Sequence, residues 1–269
     1  MSEMPPATAP RWDDALLGAA LLAVAPAYLG GIHLKAMPGP VRDVWLERLR
    51  ALLPAGTPVR RIPLHASESS LLGGLDLAAT LRAGRPVAQR GLLAESAGGV
   101  VLLAMAERAR RATLAHLGAV MDFSEVVLER DGLAARERAE IGVVALDESA
   151  ADDEAIGGVL QDRLALVIDL RPFGIRDVDD GDLDAATVET SRRRLASIRL
   201  AADGVETLCG AAQALGVDSL RISLLAVRAA RVAAALAGRD QVSAEDLAVA
   251  ARLVLAPRAT VLPVPEQAP

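Results

Sequence analysis

The stretch Gly98-Gly99-Val100-Val101-Leu102-Leu103-Ala104-Met105 carries no charge and opens on a glycine pair. A run this short, apolar at every position, has no polar face to turn to water. It therefore reads as a strand buried on both sides, as in parallel sheets. Working outward, residues 141–146 and 164–170 read as two more buried strands downstream, and residues 28–36 and 59–64 read as strands upstream. Helical stretches fall between them, at about 14–24, 41–53 and 107–121. In the second, Val41, Val44, Leu46, Leu49, Leu52 and Leu53 form one apolar stripe. Strands alternating with helices in this way predict an open parallel α/β sheet. Two digressions interrupt it. Residues 69–91 read as a loop–helix excursion with a helix near 76–82, and Asp131-Gly132 sits where a hairpin turn would join 125–130 to 133–138.

After Arg171-Pro172 the strand pattern stops and helices follow, over 185–202, 204–215 and 219–237. A last helix runs from Ser243 as N-cap to about 256. The domain reading is a disordered Pro-rich stretch over 1–11, an α/β domain over 12–176, a small all-helical unit over 177–258 and a Pro-rich linker beginning at 259–269. A chain ending within such a linker reads as part of something longer.

Composition removes several classes of function. The net charge of -6 argues against a general nucleic-acid binder, which needs a basic face. The uncharged run 15–34 is long enough to span a bilayer, but Pro26 and Gly30-Gly31 break it. Asp13-Asp14 also carries the wrong sign for a signal peptide. It reads as a buried helix and a buried strand, with no membrane span. Cys209 is the one cysteine, which excludes an internal disulfide and fits a cytoplasmic location. His33, His65 and His116 lack metal-ligand spacing and read as packing residues. The Asp-rich run 177–184 lacks the twelve-residue calcium pattern and reads as a solvated loop, so no metal site is assigned. Arg192-Arg193-Arg194 reads as an exposed helix face.

Three strings carry a resemblance: Ile62-Pro-Leu-His-Ala-Ser-Glu-Ser-Ser-Leu-Leu-Gly-Gly-Leu-Asp-Leu77, Arg90-Gly-Leu-Leu-Ala-Glu-Ser-Ala-Gly-Gly-Val-Val-Leu-Leu103, and Gly238-Arg239 with Val242-x-x-Glu-Asp-Leu247. Together they resemble the AAA+ modules of the magnesium chelatase family, in particular the N-terminal part of its D subunits, from about Trp12 to Arg258. The resemblance implies an AAA+ core, a parallel sheet flanked by helices, followed by a small helical lid domain.

Against that pattern the nucleotide machinery is degenerate. A P-loop needs Gly-x4-Gly-Lys-Ser/Thr, whose backbone amides cradle phosphates while the lysine and hydroxyl serve the phosphates and Mg²⁺. With the last glycine at Gly39, Pro40 falls on the lysine and Val41 on the hydroxyl, and Pro40 also lacks an N–H. Lys35 lies on the strand side of the loop, without glycines around it. The strand 100–103 should end in Asp-Glu but continues as Ala104-Met105, and Glu107 is expected in the following helix as a solvated or capping residue. Asp147 and Glu148 stand where the family carries a polar γ-phosphate contact, and would repel phosphate.

Elements that act on a neighbour's nucleotide look better kept. Leu160-Gln161-Asp162-Arg163-Leu164 resembles the family's finger motif, which makes Arg163 the candidate trans arginine finger with Asp162 orienting it. Arg221 occupies the sensor-2 position, with Arg228 two turns on and nearly on the same face. The resemblance thus implies a non-hydrolysing AAA+ subunit in a hetero-oligomeric ring with the ATPase I subunit, working with the porphyrin-binding H subunit. The complex would insert Mg²⁺ into protoporphyrin IX for (bacterio)chlorophyll synthesis. No cofactor is assigned to the chain itself, since ATP and Mg²⁺ would be used by the partner. The rival readings are another chelatase-like or MoxR-like adaptor, for cobalt insertion or protein remodelling, an unusual active ATPase, and a scaffold without a finger.

Overall fold

The computed structural model describes residues 11–130, 132–150, 154–179 and 181–261. The N-terminal stretch 1–10, Asp131 of the hairpin turn, Asp180 of the acidic run and tail residues 262–269 lie outside it. The helices in chain order are α1 (Trp12–Val24), α2 (Pro26–Leu29), α3 (Pro40–Leu52), α4 (Glu68–Leu72), α5 (Leu77–Ala83), α6 (Leu92–Glu95), α7 (Arg111–Phe123), α8 (Gly158–Gln161), α9 (Ala185–Leu195), α10 (Ala202–Ala214), α11 (Leu220–Leu236) and α12 (Ala244–Ala250). The strands are β1 (Gly31–Lys35), β2 (Val59–Ile62), β3 (Gly73–Leu75), β4 (Ala88–Arg90), β5 (Val100–Leu103), β6 (Glu125–Arg130), β7 (Leu133–Arg138), β8 (Gly142–Asp147) and β9 (Leu166–Asp169).

Five strands form one sheet in the order β2-β5-β8-β1-β9, with every neighbouring pair parallel. Side chains alternate across it. Val100, Leu102, Ile32, Leu34, Val144 and Leu146 enter a layer built with α1, α3 and the C-terminal helices. Val101, Leu103, Val143 and Ala145 enter a second layer with α7 and α8. Burial on both faces is why β5 is apolar throughout and β8 nearly so, whereas the edge strand β2 exposes Arg60 and Arg61. β1 sits between β8 and β9, and the chain leaves it toward β2 on one side and reaches β9 on the other. In such sheets the crevice at the carboxyl ends, beside that reversal, is where ligands bind.

Gly30-Gly31 is needed for this packing. Gly31 has φ 146°, and a Cβ there would lie 1.8 Å from the Val143 carbonyl oxygen. Only glycine lets β1 run this close to β8. The strand consequently begins at Gly31 rather than at 28, and Pro26 opens the single turn α2 instead of only ending α1. The helix expected over 107–121 starts at Arg111, after a 3-10 turn over Ala106–Arg108. The excursion 69–91 also contains an antiparallel pair, β3 with β4, which its short Gly-containing runs did not announce. The helix expected over 185–202 stops at Leu195, and the last helix widens into a π turn over Ala251–Leu255.

The C-terminal helices lie against α1 and are held by arginines. Arg252 is bidentate on Asp14 at 2.8 and 3.0 Å, Arg192 donates to the Ala23 carbonyl, and Arg258 donates to the Leu164 and Ala165 carbonyls. Arg192 is thus turned to the core rather than exposed with Arg193. Between α1 and α3, fully buried Trp45 donates from Nε1 to the Ala15 carbonyl at 2.8 Å. Trp45→Phe removes both volume and this donor. It is expected to lower unfolding stability by about 1–3 kcal/mol, measured by chemical denaturation.

Candidate functional site

At the carboxyl ends of β1, β5 and β8 lie the residues that the sequence resemblance sets against a P-loop and its acidic partners. Gly39 is the N-cap of α3 and Pro40 its first residue, so the backbone here offers one donor fewer than a phosphate cradle uses. Val41 follows with no hydroxyl. Arg42, in the first turn, reaches across the crevice and donates from Nη1 to Glu148 Oε1 at 2.7 Å, with the two side chains only 10% and 14% exposed. The backbone N–H of Glu148 in turn donates to Glu107 Oε2 at 3.1 Å.

Glu107 therefore departs from its expected place. Met105, at φ 49°, takes a left-handed conformation unusual for a non-glycine residue and turns the chain out of β5. The 3-10 turn that follows carries the Glu107 side chain back into the crevice, where it is 1% exposed. Two buried atoms of this cluster, Arg42 Nε and Glu107 Oε1, have no hydrogen-bond partner. Asp147 is turned inward, accepting from His33 Nε2 at 2.6 Å through Oδ2 and from the Ser149 N–H at 3.0 Å through Oδ1. Burial pushes the His33 pKa below its ordinary value, against the opposing pull of Asp147. Burial also works to raise Asp147, but the bonds from Ser149 and His33 outweigh it and hold the carboxylate low. Lys35 ends β1 opposite Asp147 and Asp169 in the register. No lysine or hydroxyl residue directly follows Gly39, and Arg42 and Asp147 are engaged by Glu148 and by His33 and Ser149. These residues do not fit Mg·ATP.

The other predicted residues lie at the opposite end of the sheet. Arg163, just after α8, is bidentate on Asp122, with Nε to Oδ1 at 3.1 Å and Nη2 to Oδ2 at 2.5 Å, and its Nη1 donates to the Val159 carbonyl at 2.8 Å. Arg221, in the first turn of α11, donates from Nη1 to the same Asp122 Oδ1 at 2.6 Å. Asp122, not Asp162, orients Arg163. Asp162 is exposed at the end of α8, and its charge bears on Arg258, which burial lowers to about 10. The bonds from Arg163, and secondarily those from Arg221, hold the Asp122 carboxyl below its ordinary pKa. Arg228 is spent on Tyr28, donating to its carbonyl at 3.0 Å and lying 5.0 Å over its ring.

A cavity of about 260 Å³ beside this group is lined by Gly30, Asp122, Arg163, Arg221, Leu224 and Arg228. Gly30 immediately precedes β1 and the P-loop position follows it. Five residues of strand, about 15 Å at the usual rise, therefore separate the arginine pair from Gly39, Pro40 and Val41. Arg163 and Arg221 come together, and neither joins the chain's own P-loop position.

Sequence reasoning missed Asp122 and Arg42. Asp122 ends the apolar stripe of α7 as a single acid among hydrophobic neighbours, a faint signal. Arg42 directly follows the position of the lost hydroxyl. Among the described residues no group of three or more His, Cys, Asp or Glu could hold a metal ion, and no helix is long and apolar enough to cross a membrane.

The strand order and the helical unit behind it define an AAA+ core with its lid. Residues 205–269 match the AAA lid domain family. The crystal structure of a suspected ATPase from Cytophaga hutchinsonii superposes with a TM-score of 0.65 at 15% identity, covering 90% of this chain and 84% of that one. More specific are the sequence relatives. The chain is 37% identical to the magnesium-chelatase 60 kDa subunit of Rhodobacter capsulatus over 93% of its length, and 40% identical to that of Cereibacter sphaeroides over 96%. It is also 29% identical to the magnesium-chelatase 38 kDa subunit of Cereibacter sphaeroides, over 75% of this chain and 67% of that one. The chain is an AAA+ module of the magnesium-chelatase family, and it spans about two-fifths of the 60 kDa relatives' length (41% and 42%).

Two outcomes test the crevice. Arg42→Ala strands Glu148 in a buried site and is expected to cost about 3–5 kcal/mol of unfolding stability. Arg42→Met with Glu148→Leu removes both charges and should recover most of that loss, in a four-member denaturation cycle. His33, with its pKa depressed in the folded state, binds a proton more readily when unfolded. Stability should therefore fall as pH drops below the unfolded value near 6.5, within a pH 5–8 window where Asp147 stays ionised. His33→Gln is expected to flatten that dependence, read as melting temperature against pH.

Proposed function

We propose that this chain is a non-hydrolysing AAA+ subunit that assembles with an ATPase of the 38 kDa magnesium-chelatase type and offers Arg163, with Arg221 beside it, to that partner's nucleotide. In this reading it is the platform of a hetero-oligomeric ring that supports ATP-dependent Mg²⁺ insertion into protoporphyrin IX on a porphyrin-binding subunit, in (bacterio)chlorophyll synthesis.

The observation that carries the reading is the separation of the two sites. Arg163 and Arg221 lie at the amino end of the sheet, about 15 Å of strand from their own P-loop position, and so have no phosphate of their own to serve. Arg163 is 20% and Arg221 46% exposed, which leaves guanidinium N–H groups open to an adjoining subunit. A guanidinium supplied across an interface stabilises charge developing on a transferred phosphoryl group, an effect on the order of 10³–10⁵ in rate where it has been measured. The absence of hydrolysis by the chain itself is supported by the Arg42–Glu148 pair. That guanidinium lies against a carboxylate where Mg²⁺ and the terminal phosphate would need access, and Pro40, Val41, Ala104 and Met105 replace the groups that would hold them. Similarity to both chelatase subunit sizes supports an assembly in which one kind of AAA+ module hydrolyses and the other does not.

ATP turnover by the 38 kDa-type ATPase, titrated with this chain, tests the proposal. The chain alone is expected to be silent, and the partner's rate to change with added chain. Arg163→Ala should abolish that change. Turnover by the chain alone would instead establish an active ATPase and direct attention to Lys35 and Glu107. A change in rate that survives Arg163→Ala would leave a scaffold without a finger.

A further inference from the structure

We propose that Asp122 is the positioning residue of the trans arginine pair, a carboxylate that locks the core's Arg163 and the lid's Arg221 into one guanidinium clamp. The inference rests on the trans-arginine reading and adds to it the group that sets the arginines' geometry.

The clamp is built from three elements. Asp122 lies in the last turn of α7, Arg163 follows α8, and Arg221 belongs to the lid helix α11. Both guanidinium groups reach the same oxygen, Oδ1, while Arg163 also engages Oδ2. Two like charges this close repel each other, and a carboxylate shared between them is what makes their proximity favourable. The third side of Arg163 is fixed by the Val159 carbonyl. Only part of its five-donor fork is then left for a ligand, and in a fixed orientation.

The helix beneath has been shaped for this arrangement. Gly118 precedes Asp122 by one turn on the same face of α7. A Cβ at Gly118 would lie 2.8 Å from Val159 Cγ1 and 3.5 Å from Arg163 Nε. The small residue leaves a bed in which Arg163 lies flat, with the carboxylate at its end. Arg221 rides on the lid, so the same oxygen also ties lid orientation to the presentation of the finger. Displacing α11 relative to α7 breaks the Arg221 arm and leaves Arg163 bidentate. Asp122 itself touches no reacting atom.

The experiment measures the partner ATPase's kcat and the concentration of this chain that gives half its effect, for the full chain and its variants. Asp122→Asn keeps the shape but loses the charge, and is expected to reduce the chain's effect on kcat about tenfold, as misplacement of a catalytic group does. The half-effect concentration should stay within about twofold, since the rest of the interface is intact. Asp122→Glu should recover part of the effect, and Asp122→Asn combined with Arg163→Ala should lose no more than Arg163→Ala alone. If Asp122→Asn does not fold, Arg221→Gln tests the lid arm and is expected to show a smaller drop in kcat effect. An unchanged kcat in a folded Asp122→Asn protein, or in Arg221→Gln where that variant must serve, would overturn the clamp while Arg163→Ala still abolishes the effect. A change confined to the half-effect concentration would make Asp122 an ordinary interface residue and also overturn it. A wild-type effect from Arg163→Ala would overturn the trans reading and the clamp together.

Discussion

Three carboxylates, those of Glu107, Asp147 and Glu148, converge on the carboxyl ends of β5 and β8, and two of them are almost wholly removed from water. Buried negative charge of this density needs a compensating cation, because the desolvation cost of each unpaired group is several kcal/mol. In an AAA+ protein that holds nucleotide, a metal ion and a lysine meet charge of this sign. Here, from within the chain, Arg42 supplies such a cation to Glu148, while Asp147 is met by hydrogen bonds from His33 and the Ser149 N–H. Arg42 Nε and Glu107 Oε1 have no hydrogen-bond partner, and Arg108 Nε lies 3.7 Å from Glu107 Oε1.

The lid shows a different use of the same side chain. Arg192, Arg228, Arg252 and Arg258 donate to backbone carbonyls or to Asp14 on the core, closing the interface with directional bonds where the sequence supplies few aromatic side chains to fill it. Most of these side chains are half-buried, with their guanidinium heads on polar atoms of the core. Arg163 and Arg221 differ in meeting one side-chain carboxylate together, and in keeping some of their donors toward solvent.

The architecture was legible in the sequence wherever the physics is local. Apolar runs bounded by glycine gave the buried strands, Pro40 and Ser243 marked helix starts, and Asp131-Gly132 signalled the hairpin. The residue types at Pro40, Val41, Ala104 and Met105 were also legible, because the lack of an ammonium, hydroxyl or carboxylate group is a property of one position. Contacts across the fold were not. Asp122 meets Arg163 at a separation of 41 residues and Arg221 at 99, and Arg42 meets Glu148 at 106, and no local pattern encodes such pairings. Adjacency made Asp162 look like the partner of Arg163, but the last turn of α8 points it outward. Glu107 was misread for a related reason. The positive φ of Met105 is a tertiary choice that propensity opposes, and it redirects the next two residues.

The geometry of a parallel sheet explains why the two groups of charged residues stand apart. All strands run the same way, so the residues after them and the residues before them form two chemically separate rims. The P-loop position, the ends of β5 and β8 and the Arg42 pair belong to the first rim. Asp122, Arg163 and the start of α11 belong to the second. The hydrogen bonds of Arg163 involve Asp122 and Val159, not Pro40 or Ala104, and the strands between the rims are mostly apolar, with His33 of β1 a buried polar exception. The Arg42–Glu148 pair and the Asp122–Arg163–Arg221 group are therefore built from separate sets of residues at opposite ends of the sheet. The one element positioned to couple the rims is the lid. It reaches the second rim through Arg221 and packs on α1 beside the first through Arg252 and Asp14. The lid is thus tied to the core at both places by an arginine on a carboxylate.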